Sequence, residues 1–555
     1  MRQIIIISAF FLALCGFSQV APDKYFIGFT DKIGTPYNIN QPLQFLTQRA
    51  VDRRIAQGIP VTEMDLPVNP SYIQQVKNIG VDILNPTKWM NGVTIHTTDP
   101  SKLTQIAALP FVLNIVKSEI NPAPCLKPVD KFDLERSSFK PLGAIPYKMT
   151  GSVHSYNYGQ SYNQIHMLNG DLLHDMGFHG EGKVIAIIDA GFLNANILPP
   201  FDSLYANGQI LGTKDFVVLG NNVYNEYLHG MMVLSTMGGN VPGQLVGTAP
   251  KAKFWLLRSE DMNSENLIEE YNWVSAAEFA DSVGADVINS SLGYTQFDDP
   301  TKNHTCADMN GHTTVCTRGA NIAATRGIAV SNSAGNSGGS SWLCVSAPSD
   351  GDDVMAIGAV DAQGNYATFS SLGVDTNGRV KPNVASQGQG TVIATPDGSI
   401  GTGDGTSFSS PLIAGMLACL WQAKPGATNF ELYEAMERSA SQYNNPDPLK
   451  GYGIPDFQKA LTILGIPTRN EIKPVIFPNP FTDNLTVRFS SRNNQLITMT
   501  IIDGVGGIVR KMASYCYTGE NNVTFNNLSN LSQGIYFVKM TSDSFSEIQK
   551  IIKIN

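Results

Sequence analysis

The stretch GDGTSFSSPLIAG, residues 403–415, decides how the rest of the chain is interpreted. Small residues around Gly405 predict a turn that brings the hydroxyl of Ser407 to the start of a helix. Pro411 suits an early helical turn, because its missing N–H is not needed there. The unpaired N–H groups at a helix start attract an anion, so a hydroxyl at that place is suited to acyl transfer. The alternative is an ordinary serine-rich helix cap.

A nucleophilic serine requires a base and a carboxylate that orients the base. The run VIAIIDAGF predicts a buried parallel strand over residues 184–188 that ends at Asp189, and functional groups collect at the carboxyl ends of such strands. In LHGMMVLSTMGG, His229 opens an apolar run that is compatible with a helix. Taken singly, Asp189 also fits a strand-terminating turn, and His229 fits a satisfied structural histidine.

A second strand end carries an amide. In IAVSNSAGNSGG the strand 328–330 precedes a small-residue turn that contains Asn336. Its side chain is suited to donate to a tetrahedral oxyanion, although a turn residue with left-handed geometry is the alternative. The four features together predict a catalytic site in which Asp189, His229 and Ser407 act as a triad and Asn336 is the oxyanion donor.

The chain order Asp189, His229, Ser407 resembles that of the subtilase family of serine peptidases. Residues 155–465 carry the resemblance, which extends to GTAPKAKFWLLR, INSSLG and KPNVASQG. It implies an α/β fold, a subtilisin-like parallel sheet with flanking helices. It also implies a segment that pairs with the substrate backbone as an added strand. This substrate-binding segment consists of Ser291, Leu292 and Gly293.

Some positions depart from the family pattern. Met231 stands where a threonine is usual, which predicts a repacked helix after His229 with the chemistry intact. Ala190 removes one hydroxyl that would support Asp189. The loop 238–247 lacks the Asn and Asp ligands of a common family calcium site, and calcium requires oxygen ligands. We expect that the chemistry needs no cofactor and assign no metal ligand; a structural calcium elsewhere stays open.

Length, charge and the N-terminus indicate a multidomain exported protein. The 555 residues suggest three or four domains, and the formal net charge of −9 argues against a nucleic-acid partner. Residues 1–18 have a basic start, an apolar core and small residues before Gln19, which predicts a cleaved signal peptide. No other segment reaches the roughly 18 apolar residues of a membrane helix. The expected location is therefore secreted or at the cell surface, without a transmembrane segment.

Residues 19–125 precede the peptidase-like region. The order of strand and helix patterns within residues 24–120 is βαββαβ, which predicts an α+β ferredoxin-like sandwich. It resembles the inhibitory propeptide of subtilases, whose C-terminal tail occupies the cleft until it is cut. Residues 126–154 are predicted to be an accessible processing linker. An N-terminal adaptor domain is the alternative.

Residues 470–555 show short alternating strands with a GVGG turn at 504–507, which predicts a small all-β sandwich. FPNPF and LSQGIYFVK resemble the type A sorting domain of the type IX secretion system. The resemblance implies a partner in the secretion machinery at the outer membrane. An accessory carbohydrate- or protein-binding sandwich is the alternative.

Six cysteines follow the signal segment, without the spacing of a zinc site. Cys306 and Cys316 flank a short insert and are candidates for a disulfide, with Cys344 as a competing partner. Cys419 lies in the apolar run after Ser407 and is expected to be a buried free thiol.

The sequence as a whole predicts a zymogen of a secreted serine endopeptidase, with the catalytic domain at residues 155–466. It would hydrolyse peptide or protein substrates through an acyl-enzyme, and its own propeptide would be a partner. The cleft walls 291–293 and 333–336 are small and uncharged, which favours a broad or apolar preference. Two alternatives are a non-catalytic surface adhesin on a protease fold, and an esterase or peptide ligase that uses the same triad.

Overall fold

The computed structural model of the chain describes residues 23–118, 131–142, 154–373, 378–466, 474–491, 494–517, 519–542 and 546–555. The predicted signal peptide, Cys125 and residues 143–153 of the predicted linker lie outside this part of the chain. Within it, none of the helices combines the length and the apolar character that crossing a bilayer requires.

The first domain is a four-stranded antiparallel sheet, with strand order β2-β3-β1-β4, and connecting helices. Its elements are β1 (Lys24–Phe29), α1 (Gln48–Ala56), α2 (Pro70–Asn78), β2 (Asp82–Thr87), β3 (Gly92–His96), α3 (Pro100–Ala107) and β4 (Val112–Lys117). The predicted α+β unit is confirmed. The sequence analysis missed α2, although Asn69 caps it by accepting a hydrogen bond from Ser71 N and Pro70 opens it. A short helix α4 (Asp133–Ser137) and a strand β5 (Lys140–Pro141) follow the domain.

The second domain is built on a sheet of seven described strands, in the order β14-β13-β12-β11-β6-β10-β7, and all neighbouring pairs are parallel. The predicted α/β architecture is confirmed. Its elements are α5 (Tyr162–His166), α6 (Gly170–Asp175), β6 (Val184–Asp189), α7 (Asp202–Ala206), β7 (Ile210–Asp215), α8 (His229–Gly238), β8 (Asn240–Val241), β9 (Leu245–Val246), β10 (Lys253–Arg258), α9 (Ile268–Val283), β11 (Val287–Ser290), α10 (Val315–Thr325), β12 (Ala329–Ser333), β13 (Met355–Val360), β14 (Val384–Gln387), β15 (Thr391–Ala394), β16 (Ile400–Gly403), α11 (Thr406–Ala423), α12 (Asn429–Ser439) and α13 (Phe457–Ile463).

Helices cover both faces of this sheet, and β6 shows why the strand sequence is apolar throughout. Ile185 and Ile187 lie in one hydrophobic cluster with residues of α8 and α11. Ala186 and Ile188 point the other way, into a cluster with residues of α9 and α10. Since side chains alternate along a strand, a strand buried on both faces must be apolar at every position.

The first domain packs against α9 through charged groups. The Asp281 carboxylate is fully buried and contacts Arg53 at 2.6 Å, Arg54 at 2.9 Å and Lys88 at 2.8 Å. Burial by itself raises the pKa of Asp281, but the three cations lower it on balance. Nearby, the Glu278 carboxylate accepts a hydrogen bond from the backbone N–H of Lys88 at 2.8 Å. The docked position of the first domain therefore depends on pairing buried charges across the interface.

The segment between the two domains is only partly the accessible linker that the sequence suggests. In residues 131–142, Phe132 and Glu135 are buried, at 3% and 0% exposure. β5 pairs antiparallel with β16, which joins it to β15 in a small sheet. This part of the predicted linker is therefore docked through two buried side chains, while five of its twelve residues are exposed.

The third domain has two antiparallel sheets, β17-β18-β21 and β20-β19-β22-β23, which confirms the predicted all-β unit. Its strands are β17 (Val475–Phe477), β18 (Leu485–Ser491), β19 (Gln495–Asp503), β20 (Ile508–Cys516), β21 (Gly519–Phe525), β22 (Gly534–Thr541) and β23 (Ser546–Lys553). Asp503 closes the predicted turn at 504–507 by accepting a hydrogen bond from Gly507 N at 2.7 Å. The short strand β17 was not predicted.

The disulfide joins Cys306 to Cys344, with 6.0 Å between their Cα atoms. Of the two partners considered for Cys306, Cys316 is therefore wrong. Cys316 is a free thiol that is buried near the start of α10, inside the cluster that α10 forms with α9. Cys419 is a buried free thiol, as predicted.

Candidate active site

The end of β6 and the start of α8 bring Asp189 and His229 together. The Asp189 Oδ1 atom lies 2.8 Å from His229 Nδ1 and accepts a second hydrogen bond from Ala190 N at 2.7 Å. The contact fixes Nδ1 of the imidazole against the carboxylate and leaves Nε2 on the opposite side of the ring. The Oδ2 atom of Asp189 has no hydrogen-bond partner in the described part of the chain, and Ala190 offers no hydroxyl to it.

Gly230 makes this close approach feasible. A Cβ at that position would lie 2.5 Å from Gly191 O and 2.9 Å from the Cβ of Asp189. Such distances are too short for carbon atoms, so a side chain would push the start of α8 away from the end of β6. The glycine after His229 is therefore required by the Asp189–His229 contact.

Ser407 is the second residue of α11, as the turn around Gly405 predicted. Pro411 lies inside the helix and cannot donate to the carbonyl four residues earlier, which belongs to Ser407. The Ser291 hydroxyl donates to that carbonyl instead, at 2.9 Å. Because of the proline, the carbonyl oxygen of Ser407 remains available to accept the hydrogen bond from Ser291.

The predicted substrate-binding segment follows β11 and borders Ser407. The Ser407 hydroxyl lies 3.4 Å from Ser291 O, and the side chain of Leu292 is buried. A Cβ at Gly293 would lie 2.2 Å from Ser346 Oγ, so the wall of the cleft is closely packed here. The structure thus brings this segment to the nucleophile, while its pairing with a substrate stays a prediction.

Asn336 follows β12 and has a fixed orientation. Its Oδ1 atom accepts hydrogen bonds from Thr406 N at 2.9 Å and from Thr406 Oγ1 at 2.8 Å. With its oxygen bound to the start of α11, the amide directs its NH₂ group into the cleft. The orientation is that of a donor held ready for an acceptor beside Ser407.

That acceptor is Glu135 from α4, which the sequence analysis missed. Its Oε1 atom accepts hydrogen bonds from Ser407 Oγ at 2.7 Å and from Asn336 Nδ2 at 2.8 Å. The same atom lies 3.9 Å from His229 Nε2. The ring of Phe132 stacks on His229, with 3.8 Å between ring centroids. A five-residue helix is too short to show helical periodicity, so no sequence signal identified this segment.

The carboxylate and the imidazole influence each other's protonation. Burial raises the pKa of Glu135, although His229 and the hydrogen bonds from Ser407 and Asn336 oppose this. Burial lowers the pKa of His229, but the Asp189 carboxylate and Glu135 raise it on balance. His229 Nε2 has no hydrogen-bond partner among the described residues, and the Ser407 hydroxyl is bound to Glu135. Asp189 and His229 are therefore in contact, while the Ser407 hydroxyl and the Asn336 amide are both bound to Glu135.

Three family models match the chain. Residues 180–453 match the "Subtilase family", residues 24–131 match the "Peptidase S8 propeptide domain, Bacteroidota", and residues 475–555 match the "Secretion system C-terminal sorting domain". The first domain is thus a propeptide domain rather than an adaptor. The third domain is a sorting domain rather than an accessory binding module.

Individual relatives agree with these matches. Subtilisin NAT of Bacillus subtilis subsp. natto is 29% identical over 297 residues, which cover 53% of this chain and 69% of the relative. A subtilisin of Bacillus pumilus is 28% identical over 300 residues, which cover 53% of this chain and 97% of the relative. A solved structure also resembles the chain: the crystal structure of fervidolysin from Fervidobacterium pennivorans, a keratinolytic enzyme related to subtilisin. The match has a TM-score of 0.52 at 16% identity and covers 93% of this chain and 70% of fervidolysin, which shows a shared fold. The chain therefore carries a peptidase domain of the subtilase family of serine endopeptidases, with a propeptide domain before it and a secretion sorting domain after it.

Proposed function

We propose that Ser407, His229, Asp189 and Asn336 carry out peptide-bond hydrolysis in this serine endopeptidase. Ser407 Oγ attacks the scissile carbonyl while His229 Nε2 takes its proton and later returns it to the leaving amine. Asp189 holds Nδ1 and stabilises the imidazolium. Asn336 Nδ2 and the Ser407 N–H bind the oxyanion, and water then hydrolyses the acyl-enzyme. These steps use side chains and water, so we propose that the chemistry requires no cofactor; a structural calcium stays open.

One observation carries the assignment. A single oxygen atom, Glu135 Oε1, accepts hydrogen bonds from both Ser407 and Asn336 and lies beside His229. An electron-rich oxygen therefore fits between the hydroxyl and the amide, in the region where a tetrahedral intermediate would carry its charge. The Asp189–His229 contact of 2.8 Å supplies the oriented base for the same hydroxyl.

We also propose that the uncut chain is latent because residues 131–142 occupy the cleft. Glu135 takes the hydrogen bond that Ser407 would give to His229, and Phe132 covers the imidazole ring. Removal of this segment together with the propeptide domain frees both groups. Removal by the enzyme itself would make maturation depend on Ser407.

The sorting domain implies a secreted or cell-surface protein. We propose that residues 1–18 are the signal peptide for the inner membrane, and that residues 470–555 are recognised by the secretion machinery at the outer membrane. Protein or peptide substrates would meet the mature enzyme outside the cell.

A fluorophosphonate probe tests the catalytic assignment, together with hydrolysis of casein and of a simple ester. The probe should label the mature protein and the Ser340→Ala variant, which changes an exposed serine after Asn336. It should not label Ser407→Ala, which should also lose casein hydrolysis and remain unprocessed where maturation is autocatalytic. Casein hydrolysis by Ser407→Ala would contradict the assignment, and ester turnover without casein hydrolysis would favour an esterase.

A further inference from the structure

Three glutamates surround the ammonium group of Lys131 at the edge of the blocked site. The Lys131 Nζ atom lies 2.8 Å from Glu265 Oε2 and 3.6 Å from Glu269 Oε2, and it also donates to Glu260 Oε2. Ligand oxygens of the three carboxylates lie within 4.8 Å of one another. Glu260 and Glu269 are buried, and Glu265 is partly exposed at the rim. We name this group, Glu260, Glu265 and Glu269, the acidic pocket.

The acidic pocket requires a cation. Burial alone lowers the pKa of Lys131, but the three carboxylates raise it well above its usual value. Burial likewise raises the pKa of Glu265 to about 7 and raises that of Glu269. The Oε2 atom of Glu269 points at the ammonium but has no hydrogen-bond partner among the described residues. In the uncut chain, where these carboxylates are poorly solvated, three like charges close together without a cation would be unfavourable.

The cations that now neutralise this region come from the part of the chain that maturation removes. Lys131 belongs to residues 131–142, here named the blocking segment, and Lys24 of β1 is attracted to Asp261 and Glu269. Arg258, at the end of β10, is already paired with Asp215 at 2.9 Å. Removal of the propeptide domain and its tail therefore takes away Lys131 and Lys24, the two cations that the described residues of that part place against the acidic pocket.

The acidic pocket opens on the substrate cleft. Phe132 stacks on the imidazole of His229, and the residue before it in the chain, Lys131, places its ammonium group in the acidic pocket. Tyr294, which directly follows Gly293 of the substrate-binding segment, donates a hydrogen bond to Glu260. Its ring centroid lies 5.5 Å from Lys131 Nζ, which provides an aromatic wall for a cationic side chain.

We propose that, in the mature enzyme, the acidic pocket binds a lysine side chain of the substrate on the N-terminal side of the scissile bond. This inference rests on the proposed function. Residues 131–141 run from the pocket past His229 and Ser407 to β16, and a peptide that follows the same path brings an upstream side chain to the pocket. The apolar stem of lysine passes Tyr294 while its ammonium meets the carboxylates. The enzyme is then selective for a basic residue, in contrast to the broad or apolar preference that the small cleft walls suggest.

Kinetics of the mature enzyme on fluorogenic peptides tests the proposal. Lysine and norleucine, which matches the lysine stem without its charge, are compared at each of four positions N-terminal to the scissile bond. We expect lysine at one of these positions to raise kcat/KM by about tenfold or more, the effect of one hydrogen bond between charged groups. The double variant Glu265→Gln, Glu269→Gln should bring the ratio of lysine to norleucine hydrolysis to about one, because the carboxylates that favour the ammonium are lost. The control Glu434→Gln changes a surface glutamate paired with Arg438 and should keep the preference.

The possible outcomes distinguish failure of the acidic-pocket proposal from failure of the proposed peptidase function. Equal hydrolysis of lysine and norleucine peptides at all four positions, or a lysine preference that persists in the double variant, would overturn the pocket and leave the peptidase assignment intact. Failure of the wild-type enzyme to cut any peptide would overturn the proposed function and the inference with it. Calorimetry with calcium tests the remaining alternative. If calcium binds the wild-type enzyme but not the double variant, and no lysine preference is found, the acidic pocket is a site for a divalent cation instead.

Discussion

The hydroxyl of Ser407 donates its hydrogen bond to Glu135 Oε1, 2.7 Å away, and not to His229. The same carboxylate oxygen holds the amide of Asn336 and lies 3.9 Å from His229 Nε2. One side chain of the precursor thus contacts the proposed nucleophile and oxyanion donor and lies beside the base. A carboxylate offers no scissile bond at this place, so the contact blocks the site and is not itself a cleavage complex.

Glu135→Ala should make the uncut chain reactive. The substitution removes the two hydrogen bonds that Glu135 accepts from Ser407 and Asn336, each worth roughly 1 kcal/mol or more, and lets the Ser407 hydroxyl turn to His229. We expect the precursor to react with a fluorophosphonate probe at least about tenfold faster than wild type. Asp133→Ala is the control, since Asp133 lies on the same helix with its side chain 65% exposed. Equal labelling of wild type and Glu135→Ala would show that Glu135 does not maintain latency.

The docking of the blocking segment should weaken as pH rises. Burial raises the pKa of Glu135, and Asp189 and Glu135 raise that of His229 against the effect of burial, while Lys131 opposes this. Release returns Glu135 to solvent, so its raised pKa means that the docked state binds this proton more tightly than the released state, and docking is strongest below the ordinary carboxyl pKa. Docking is weakened as pH rises through the raised pKa of Glu135. The Asp189–His229 contact involves no residue of the released segment and does not contribute to this dependence.

The measurement compares the rate of precursor labelling in wild type and in Glu135→Gln between about pH 5 and pH 8, where a raised carboxyl pKa would titrate. His229 deprotonates in both proteins, but Glu135 raises its pKa only in the wild type, so the ratio of the two rates reports the titration of Glu135 together with its effect on His229. We expect the wild-type rate to increase relative to that of Glu135→Gln as pH rises. A constant ratio would show that the protonation of Glu135 does not control release.

Asn336→Leu should lower kcat of the mature enzyme while KM changes little. The amide donor acts mainly in the transition state, and removal of such a donor in subtilisin is known to cost about 10²–10³ in kcat. Peptide hydrolysis under saturating and limiting substrate separates the two constants. A loss confined to KM would show that Asn336 only positions the substrate.

The proposed catalytic residues could be predicted from local sequence. The contacts of Glu135 with Ser407 and Asn336 and the clustering of the acidic pocket could not. Asp189, His229 and Ser407 each lie where an apolar strand or helix meets a small-residue turn, and such signals span only a few residues. Glu135 contacts Ser407 across 272 positions of the chain, from a helix of five residues, so neither periodicity nor spacing reveals the contact. The disulfide is similar: the sequence offered two partners for Cys306, and only the burial of Cys316 against α9 decides between them.

Deletion of residues 470–555 should separate activity from export. The third domain has its own hydrophobic core, which includes Val487, Ile501 and Val538 and contains no residue of the peptidase domain among those described. A domain with its own core folds by itself, so the truncated enzyme should keep its peptidase activity within about twofold when it is made in a heterologous periplasm. In the native host the truncated protein should accumulate in the periplasm, because a signal peptide carries it only across the inner membrane. Activity of the purified protein and its partition between periplasm and medium are the two measurements. Normal appearance in the medium would refute the sorting role, and a misfolded truncated protein would refute the independence of the domain.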